Sequence, residues 1–506
     1  MKVVVSSYRH NLQQIRIEIL WLSSLVFIYA LLLIVSVFLV SAYARYDLAS
    51  LVINIGFFIS TFIVLAGLVF NGREIFITPL WWFLFTQALC YGFGPLVYFW
   101  GSPATIERAQ VFFRITNEDL YEVNFLIIIG SIMVLLTYLL LTWSTRKANR
   151  VVVWSEIYQA QNSDSQENLY TVAKFLMMIG IPSYFLIVVP SSLNLVPWIV
   201  PGVIKLLAYA NISSLFVLYI LRSSTFPYVN FLFYSLTIGT LFFAFLSLSK
   251  FLVVIVVIVL LVAALIRGAN LYKAAAFGII MILFYGLVLT PVVTYARIIY
   301  GAGGAESISS MVTNNPSLES GTEANDFYKT SGLGVQSWWL RLNYASSQSF
   351  AIQQFNDGYS GESISDGVWI FIPRSFYSDK PNFSTQGTNF NGSIDGNFLS
   401  SSSPTYLVEG YWNYGWLGVV LVGIMLGIVF FGWRIYIDKI FARRHLYYLP
   451  VVINGLLMGM TQDGWLILNC LAPLPIVIFL HYFFKIAFQL FVQFKLSYIF
   501  GKRRST

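Results

Sequence analysis

About a dozen times this chain runs for roughly 20 residues with scarcely a charged side chain, the length that carries an α-helix across the hydrocarbon of a bilayer. Backbone N–H and C=O groups find no partners in lipid, so only helices and closed barrels survive there. The runs are continuous rather than alternating, which excludes barrel strands. The spacing predicts membrane-spanning helices near 19–42, 50–70, 76–99, 124–143, 175–190, 205–221, 228–247, 251–266, 274–296, 414–435, 447–468 and 471–490. The expected fold is an all-α polytopic integral membrane protein of about 12 transmembrane helices with one long extracytoplasmic loop. Composition agrees, since 58% of the 506 residues are hydrophobic and only 10% are charged. The first run, from Ile19 to about Ala42, exceeds the core of a signal peptide and lacks a small-residue cleavage site, which marks it as a retained helix.

Basic residues set the orientation, because short loops rich in lysine and arginine stay on the cytoplasmic side. The tail "GKRRST" and the loop "DKIFARRH" (438–445) are separated by two spans, so they agree. Counting back places "RGANLYK" (267–273), "STRKANR" (144–150), "NGRE" (71–74) and the N-terminal segment on the same face. Both termini are thus expected in the cytoplasm. The chain divides into residues 1–297 with spans one to nine, a large extracytoplasmic loop over 298–407, and residues 408–506 with the last three spans and a cytoplasmic tail. The net charge of +8 belongs to the loop ends; no basic, aromatic-interleaved soluble domain exists, which excludes nucleic-acid binding. Cys90 and Cys470 lie in apolar runs without metal-ligand spacing and support no disulfide framework.

The loop opens with the Gly-, Ser- and Asn-rich stretch 301–326, the composition of a lid or a disordered segment. In "SGLGVQSWWLRLNYASSQSFAIQQFNDG" (331–358) the apolar and aromatic residues recur at mixed helical spacing, which predicts a helix lying on the membrane face. "DGVWIFIPRSFYSDKP" (366–381) follows, basic, aromatic and kinked by prolines. Lys250 ends "FLSLSK" between two spans, Arg297 ends "LTPVVTYAR" at the entrance to the loop, and Arg341, Arg374 and Lys380 lie within it. Arginine forks match phosphate oxygens in pairs and lysine acts as a point charge, so this mixture suits a pyrophosphate. For Lys250 and Arg297, snorkelling toward water or headgroups is an equal reading.

A general base on this face has to be a carboxylate. His10 and His445 fall on cytoplasmic loops and His481 on the inner half of the last span. Glu409 is the best placed, just before a span and among Tyr406, Tyr411 and Trp412. Asp366 and Asp379 are the alternative bases, with Asp463 a weaker one. The competing reading of Glu409 is an ion pair with a loop arginine that anchors the loop. No "GxxxxGK[ST]", no "HExxH" and no DxD-like acidic pair near an outer span end is present, which argues against an ATP-driven pump, a zinc protease and a metal-assisted sugar transferase. No metal and no cofactor is expected.

"IPRSFYSDKP", the Gly/Asn/Ser stretch after it, and "SSPTYLVEGYWNYGWLGVVLVGIMLG" (402–427) resemble the Wzy-type polymerases of bacterial oligosaccharide repeat units. The short-motif likeness covers roughly residues 366–425; elsewhere the likeness is one of topology, including the "SLSK" turn between paired helices. The resemblance implies a GT-C-like polymerase/ligase architecture in the bacterial inner membrane. It also implies transfer of a growing glycan from undecaprenyl pyrophosphate to the non-reducing end of a new lipid-linked repeat unit. Donor and acceptor are both undecaprenyl-pyrophosphate-linked oligosaccharides, with membrane lipid, a chain-length regulator and a flippase as partners. By the same resemblance Arg374, Arg341 and Lys250 hold the leaving pyrophosphate and Glu409 activates the acceptor hydroxyl. The paired arginine–glycine spacing of some O-antigen polymerases is absent at Arg297 and Arg341.

Two other readings use the same plan. An O-antigen ligase shares the lipid donor, but such ligases resemble one another in a loop histidine that is missing here. A flippase or transporter of lipid-linked oligosaccharide calls for charges deep within several spans, whereas these cluster at span ends. The orientation itself is open to direct measurement. A reporter fused after Gly361 is expected to face away from the cytoplasm and one after Arg444 to face into it; both on one side would reverse the assignment.

Overall fold

The computed structural model describes residues 2–111, 115–145, 163–193, 202–222, 228–247, 250–289, 337–340, 342–367, 386–395, 402–461 and 464–504, with a few isolated positions between them. Among these the chain is helical throughout. Among the described residues ten helices are long and apolar enough to cross a membrane, and two shorter apolar ones, Lys250–Ile266 and Leu446–Met460, fall where further spans are expected. This is a polytopic, all-α membrane protein. The main helices are α1 (Lys2–Tyr43), α2 (Tyr46–Asn71), α3 (Pro79–Gln87), α4 (Asn117–Ser144), α5 (Ser163–Ile181), α6 (Tyr209–Leu221), α7 (Val229–Leu246), α8 (Lys250–Ile266) and α9 (Leu271–Phe284). They continue with α10 (Ala345–Asn356), α11 (Gln386–Asp395), α12 (Tyr406–Ala442), α13 (Leu449–Met460) and α14 (Pro473–Arg504).

The helices pack as two compact units, each discontinuous in sequence. The first holds Met1–Val152, Gly334–Asp438 and Gly455–Pro475; the second holds Val153–Leu333, Lys439–Asn454 and Ile476–Thr506. In the second unit, Asn211 of α6 donates to Thr240 Oγ1 of α7 at 2.9 Å, and the Tyr184 hydroxyl donates to the Thr240 carbonyl at 3.2 Å. Such interhelical bonds matter in lipid, where apolar side chains gain nothing by leaving one hydrocarbon for another. Around them the packing is aromatic, with Phe175 against Phe484, Phe488 and Phe491, and Tyr447 stacked on Phe488.

The first unit is built on a seam between α1, α2 and α4. Its positions recur every seven residues, the spacing that returns to one face of packed helices. These are Leu22, Tyr29 and Ser36 on α1, Asn54, Thr61 and Leu68 on α2, and Asn124, Ser131 and Tyr138 on α4, all buried. Polar layers therefore cross the seam at three depths. In the middle, Tyr29 stacks on Phe57 and shares a 2.6 Å hydrogen bond with Thr61. At one end, Tyr138 donates to Glu18 at 3.1 Å, and Arg434 of α12 bridges Glu18 (3.3 Å) and Asp438 (3.0 Å). Toward the other end, the amides of Asn54 and Asn124 and the hydroxyls of Ser50 and Ser131 have no hydrogen-bond partner among the described residues.

The described part of the long polar segment packs within the first unit. Its helix α10 lies where a helix is expected, but not as one spread on a membrane surface. Ser346, Ser347, Gln348 and Ser349 are all buried together with Ala345, Ala351 and Ile352. The docking ground is the start of α4, which Thr116 and Asp119 close with a reciprocal capping box. The free oxygen of Asp119 accepts from Gln353 at 2.8 Å, and Glu122 accepts from Asn356 at 3.3 Å. Upstream, Trp339 donates to the Phe93 carbonyl at 3.0 Å and stacks on the Phe93 ring.

The Arg434 cluster makes an asymmetric prediction. Glu18→Leu leaves the guanidinium with Asp438, whereas Arg434→Leu leaves two carboxylates without a cation between them. Arg434→Leu should therefore destabilise the purified protein by about 3 kcal/mol and Glu18→Leu by clearly less, read as thermal unfolding in detergent. Equal losses would mean that the cluster does not act as a charge triad.

Candidate functional site around Glu409

α12 is two helices in succession. Tyr414 (φ −141°, ψ 16°) and Gly415 (φ 60°, ψ −147°) leave helical geometry, so a two-turn prehelix over 406–413 precedes the long run. The Gly415 conformation is one that essentially only glycine adopts. The prehelix then lies so close to the long run that the backbones of Gly410 and Gly418 touch. A Cβ on Gly410 would meet the Gly418 carbonyl oxygen at 2.7 Å. The sequence "GYWNYGWLG" (410–418) is thus a hinge with glycine at each point where a side chain would not fit.

Elements of the long polar segment grip this prehelix residue by residue. The Thr405 N–H donates to Gln348 Oε1 of α10 at 2.8 Å. The Tyr411 hydroxyl donates to Asn356 at 2.9 Å, and its ring packs edge-on against Phe355. Trp412 Nε1 donates to the Tyr359 carbonyl at 3.1 Å, while the Trp412 carbonyl accepts from Gly361 at 2.9 Å. Asn413 accepts from the Ile364 N–H (3.1 Å) and donates to Ser363 Oγ (3.0 Å) and to the Glu409 carbonyl (2.8 Å).

Glu409 sits inside this grip with 0% exposure. Its Oε2 accepts a 2.6 Å hydrogen bond from the Leu466 N–H. Leu466 immediately precedes the span Ile467–Phe494, and the first N–H groups of a helix have no partner within it. A carboxylate there completes the cap and meets the positive end of the helix dipole. The Ser363 hydroxyl is close enough to interact with the carboxyl, but Oε1 has no partner of hydrogen-bonding geometry among the described residues. One oxygen is fixed and the other is left over. Beside it, Phe390 of α11, Trp412 and Trp465 form a ring cluster with centroids 5.3–6.0 Å apart.

Of the residues singled out from sequence, Glu409 is thus in a constructed site. Its Oε2 is anchored by a backbone N–H. Asp366 is partly buried and closes the single turn Ser363–Asp366, which carries Ser363 to the carboxyl. Lys250 is the first residue of α8, partly buried, in the second unit. Arg297, Arg341, Arg374, Asp379, Lys380 and Asp463 lie outside the described residues. Sequence reasoning missed Gln348, Ser363, Asn413 and Trp465. Asn413 carried a signal, an amide inside "YWNYG" where a span would otherwise continue; the Leu466 N–H carried none. No family model, curated protein or solved structure matches the chain.

The hinge can be tested against an internal control. Gly415→Ala forces a side chain into a positive-φ conformation and against the Phe355 ring, so it should lower the thermal midpoint and the yield of folded protein. Gly432 is helical and exposed, and a Cβ added there would meet nothing within 4 Å, so Gly432→Ala should be neutral or stabilising by up to about 1 kcal/mol. Similar midpoints for the two variants would show that the break at Gly415 is not needed.

Proposed function

We propose that this protein is a polymerase of lipid-linked oligosaccharide repeat units, a polyprenyl-diphosphate-dependent glycosyltransferase of the Wzy type working at the outer face of a bacterial inner membrane. The observation that carries the reading is the state of the Glu409 carboxyl. It has one oxygen locked by the Leu466 N–H and one oxygen unpaired, and it lies on the prehelix, in the stretch that bears the resemblance and that also holds Trp412 and Phe390 nearby.

The chemistry follows from what such a carboxylate can do. As the acceptor hydroxyl oxygen forms its bond to the anomeric carbon of the donor sugar, its proton passes to Oε1 of Glu409. The bond from that carbon to the pyrophosphate oxygen breaks, and polyprenyl pyrophosphate leaves with the electron pair. Fixing Oε2 holds Oε1 in one orientation, so little reorganisation accompanies the transfer. Arg374, Arg341 and Lys380 are proposed to meet the charge that develops on the leaving group, with Asp366 or Asp379 as substitute base. A flippase reading would draw support from buried ionisable groups, and the Glu18–Arg434–Asp438 cluster is one. That cluster lies 19 residues beyond Gly415 on the same helix, roughly 28 Å away along its axis, so it belongs to the opposite end of the bundle from Glu409.

Glu409→Gln separates base from anchor. The glutamine carbonyl can still accept from Leu466, so the fold and the cap should persist, but the side chain no longer takes up a proton. Chain extension in vitro with purified lipid-linked repeat unit should fall by about two to four powers of ten, with the thermal midpoint little changed. A glutamine variant that extends chains at near wild-type rate removes Glu409 from the mechanism.

A further inference from the structure

Buried polar atoms in folded proteins almost always have a hydrogen-bonding partner, and a group of them without one calls for an explanation. Four such atoms belong to Glu409 and to residues near it in the fold. Besides Glu409 Oε1 they are Thr405 Oγ1, Ser349 Oγ and Trp465 Nε1, each buried and without a partner among the described residues. Backbone contacts and chain adjacency bring the four residues into one neighbourhood. Thr405 is one helical turn before Glu409, and its carbonyl accepts the Glu409 N–H at 2.7 Å. Its own N–H is held by Gln348, the neighbour of Ser349. Trp465 is adjacent to Leu466, whose N–H holds the carboxyl, and its ring packs with Trp412 and Phe390.

The chemistry of this set is specific. Two hydroxyls donate and accept, an indole N–H only donates, and a carboxylate oxygen accepts. One of the four groups is a carboxylate, whose charge repels a phosphate, and the other three are neutral. Alternating donors and acceptors beside aromatic rings match a neutral polyol, whose hydroxyls each give and take a hydrogen bond while its C–H faces lie on the rings.

We infer that Thr405, Ser349 and Trp465, with the unpaired oxygen of Glu409, form a subsite for the hydroxyl groups of a neutral sugar ring. The inference rests on Glu409 as the acceptor-side base and assigns the acceptor sugar to this subsite. Trp465 and Thr405 act in binding and orientation: they hold the ring so that one hydroxyl faces Oε1. A site built to hydrogen-bond a hydroxyl discriminates strongly against an analogue lacking it, because its own buried groups are then left unpaired.

The test uses the purified full chain in lipid nanodiscs. Its probes are free glucose, galactose, mannose, rhamnose and N-acetylglucosamine, with binding read by titration calorimetry. At least one of these sugars should bind the wild type. Thr405→Val and Ser349→Ala should each weaken that binding by about three- to tenfold, the value of one neutral hydrogen bond. Trp465→Phe, which keeps a ring but loses the N–H, should do the same. The sugar-free thermal midpoints of all three should stay near that of the wild type; should Trp465→Phe unfold, the other two decide. Absence of binding by the wild type, or undiminished binding by the folded variants, overturns the subsite and leaves these groups to ordered water. Calorimetry needs no glycosyl transfer, so sugar binding by a wild type that extends no chains in the separate extension assay would remove the polymerase reading alone. Chain extension by the variants with an unchanged KM for acceptor would remove the subsite alone.

Discussion

Hydrocarbon offers no hydrogen bonds, so each polar group that this chain carries into the bilayer has to find its partner in protein. That constraint explains why the described chain is helical throughout, and it also decides where the helices meet. Tyr29 with Thr61, Asn211 with Thr240, and Arg434 between Glu18 and Asp438 each join different spans. The capping box at Thr116 and Asp119 goes further, closing one helix and still offering an oxygen to Gln353 of the polar segment. Glu409 is the extreme case. A carboxylate with no exposure is tolerable because a helix N-terminus supplies the N–H that water would have supplied.

The same bond gives the candidate site its rigidity. Leu466 and Glu409 are 57 residues apart, and between them the chain runs through the hinge at Gly415, the long part of α12 and α13. Moving Leu466 moves Oε2, and moving α10 moves Thr405 through Gln348. The carboxyl is therefore held from two directions, which is what a proton acceptor needs if its free oxygen is to meet one particular hydroxyl.

Much of the fold was legible because hydropathy is a local property. Each expected span has an apolar helix at its place, down to the short Lys250–Ile266. The break in α12 was harder to see: the apolar run after Gly415 drew the expected span back to residue 414, hiding a turn that "NYGWLG" encodes. Helix α10 was anticipated, but its burial was not, since a buried face of serines and a glutamine inverts the usual pattern. Glu409 could be picked out by its position among aromatics. Its partner could not, because a backbone N–H leaves no trace in side-chain identity and the pairing spans a gap no periodicity bridges. The division into two discontinuous units was hidden for the same reason, as it depends on which distant helices pack together.

The polar layers of the α1–α2–α4 seam have a consequence for how the bundle assembles. Apolar helices in lipid slide past one another at little cost, because leucine against leucine is much like leucine against an acyl chain. Tyr29 opposite Thr61 and Tyr138 opposite Glu18 remove that freedom. A shift of α1 by one seven-residue repeat would part both pairs at once and strand the Tyr29 and Tyr138 hydroxyls and the Glu18 carboxylate in a medium that cannot solvate them. The layers thus work as a vernier, in which several marks coincide at one setting only. That setting places the start of α4, and with it the Asp119 that receives α10, at the height where the Glu409 site is assembled.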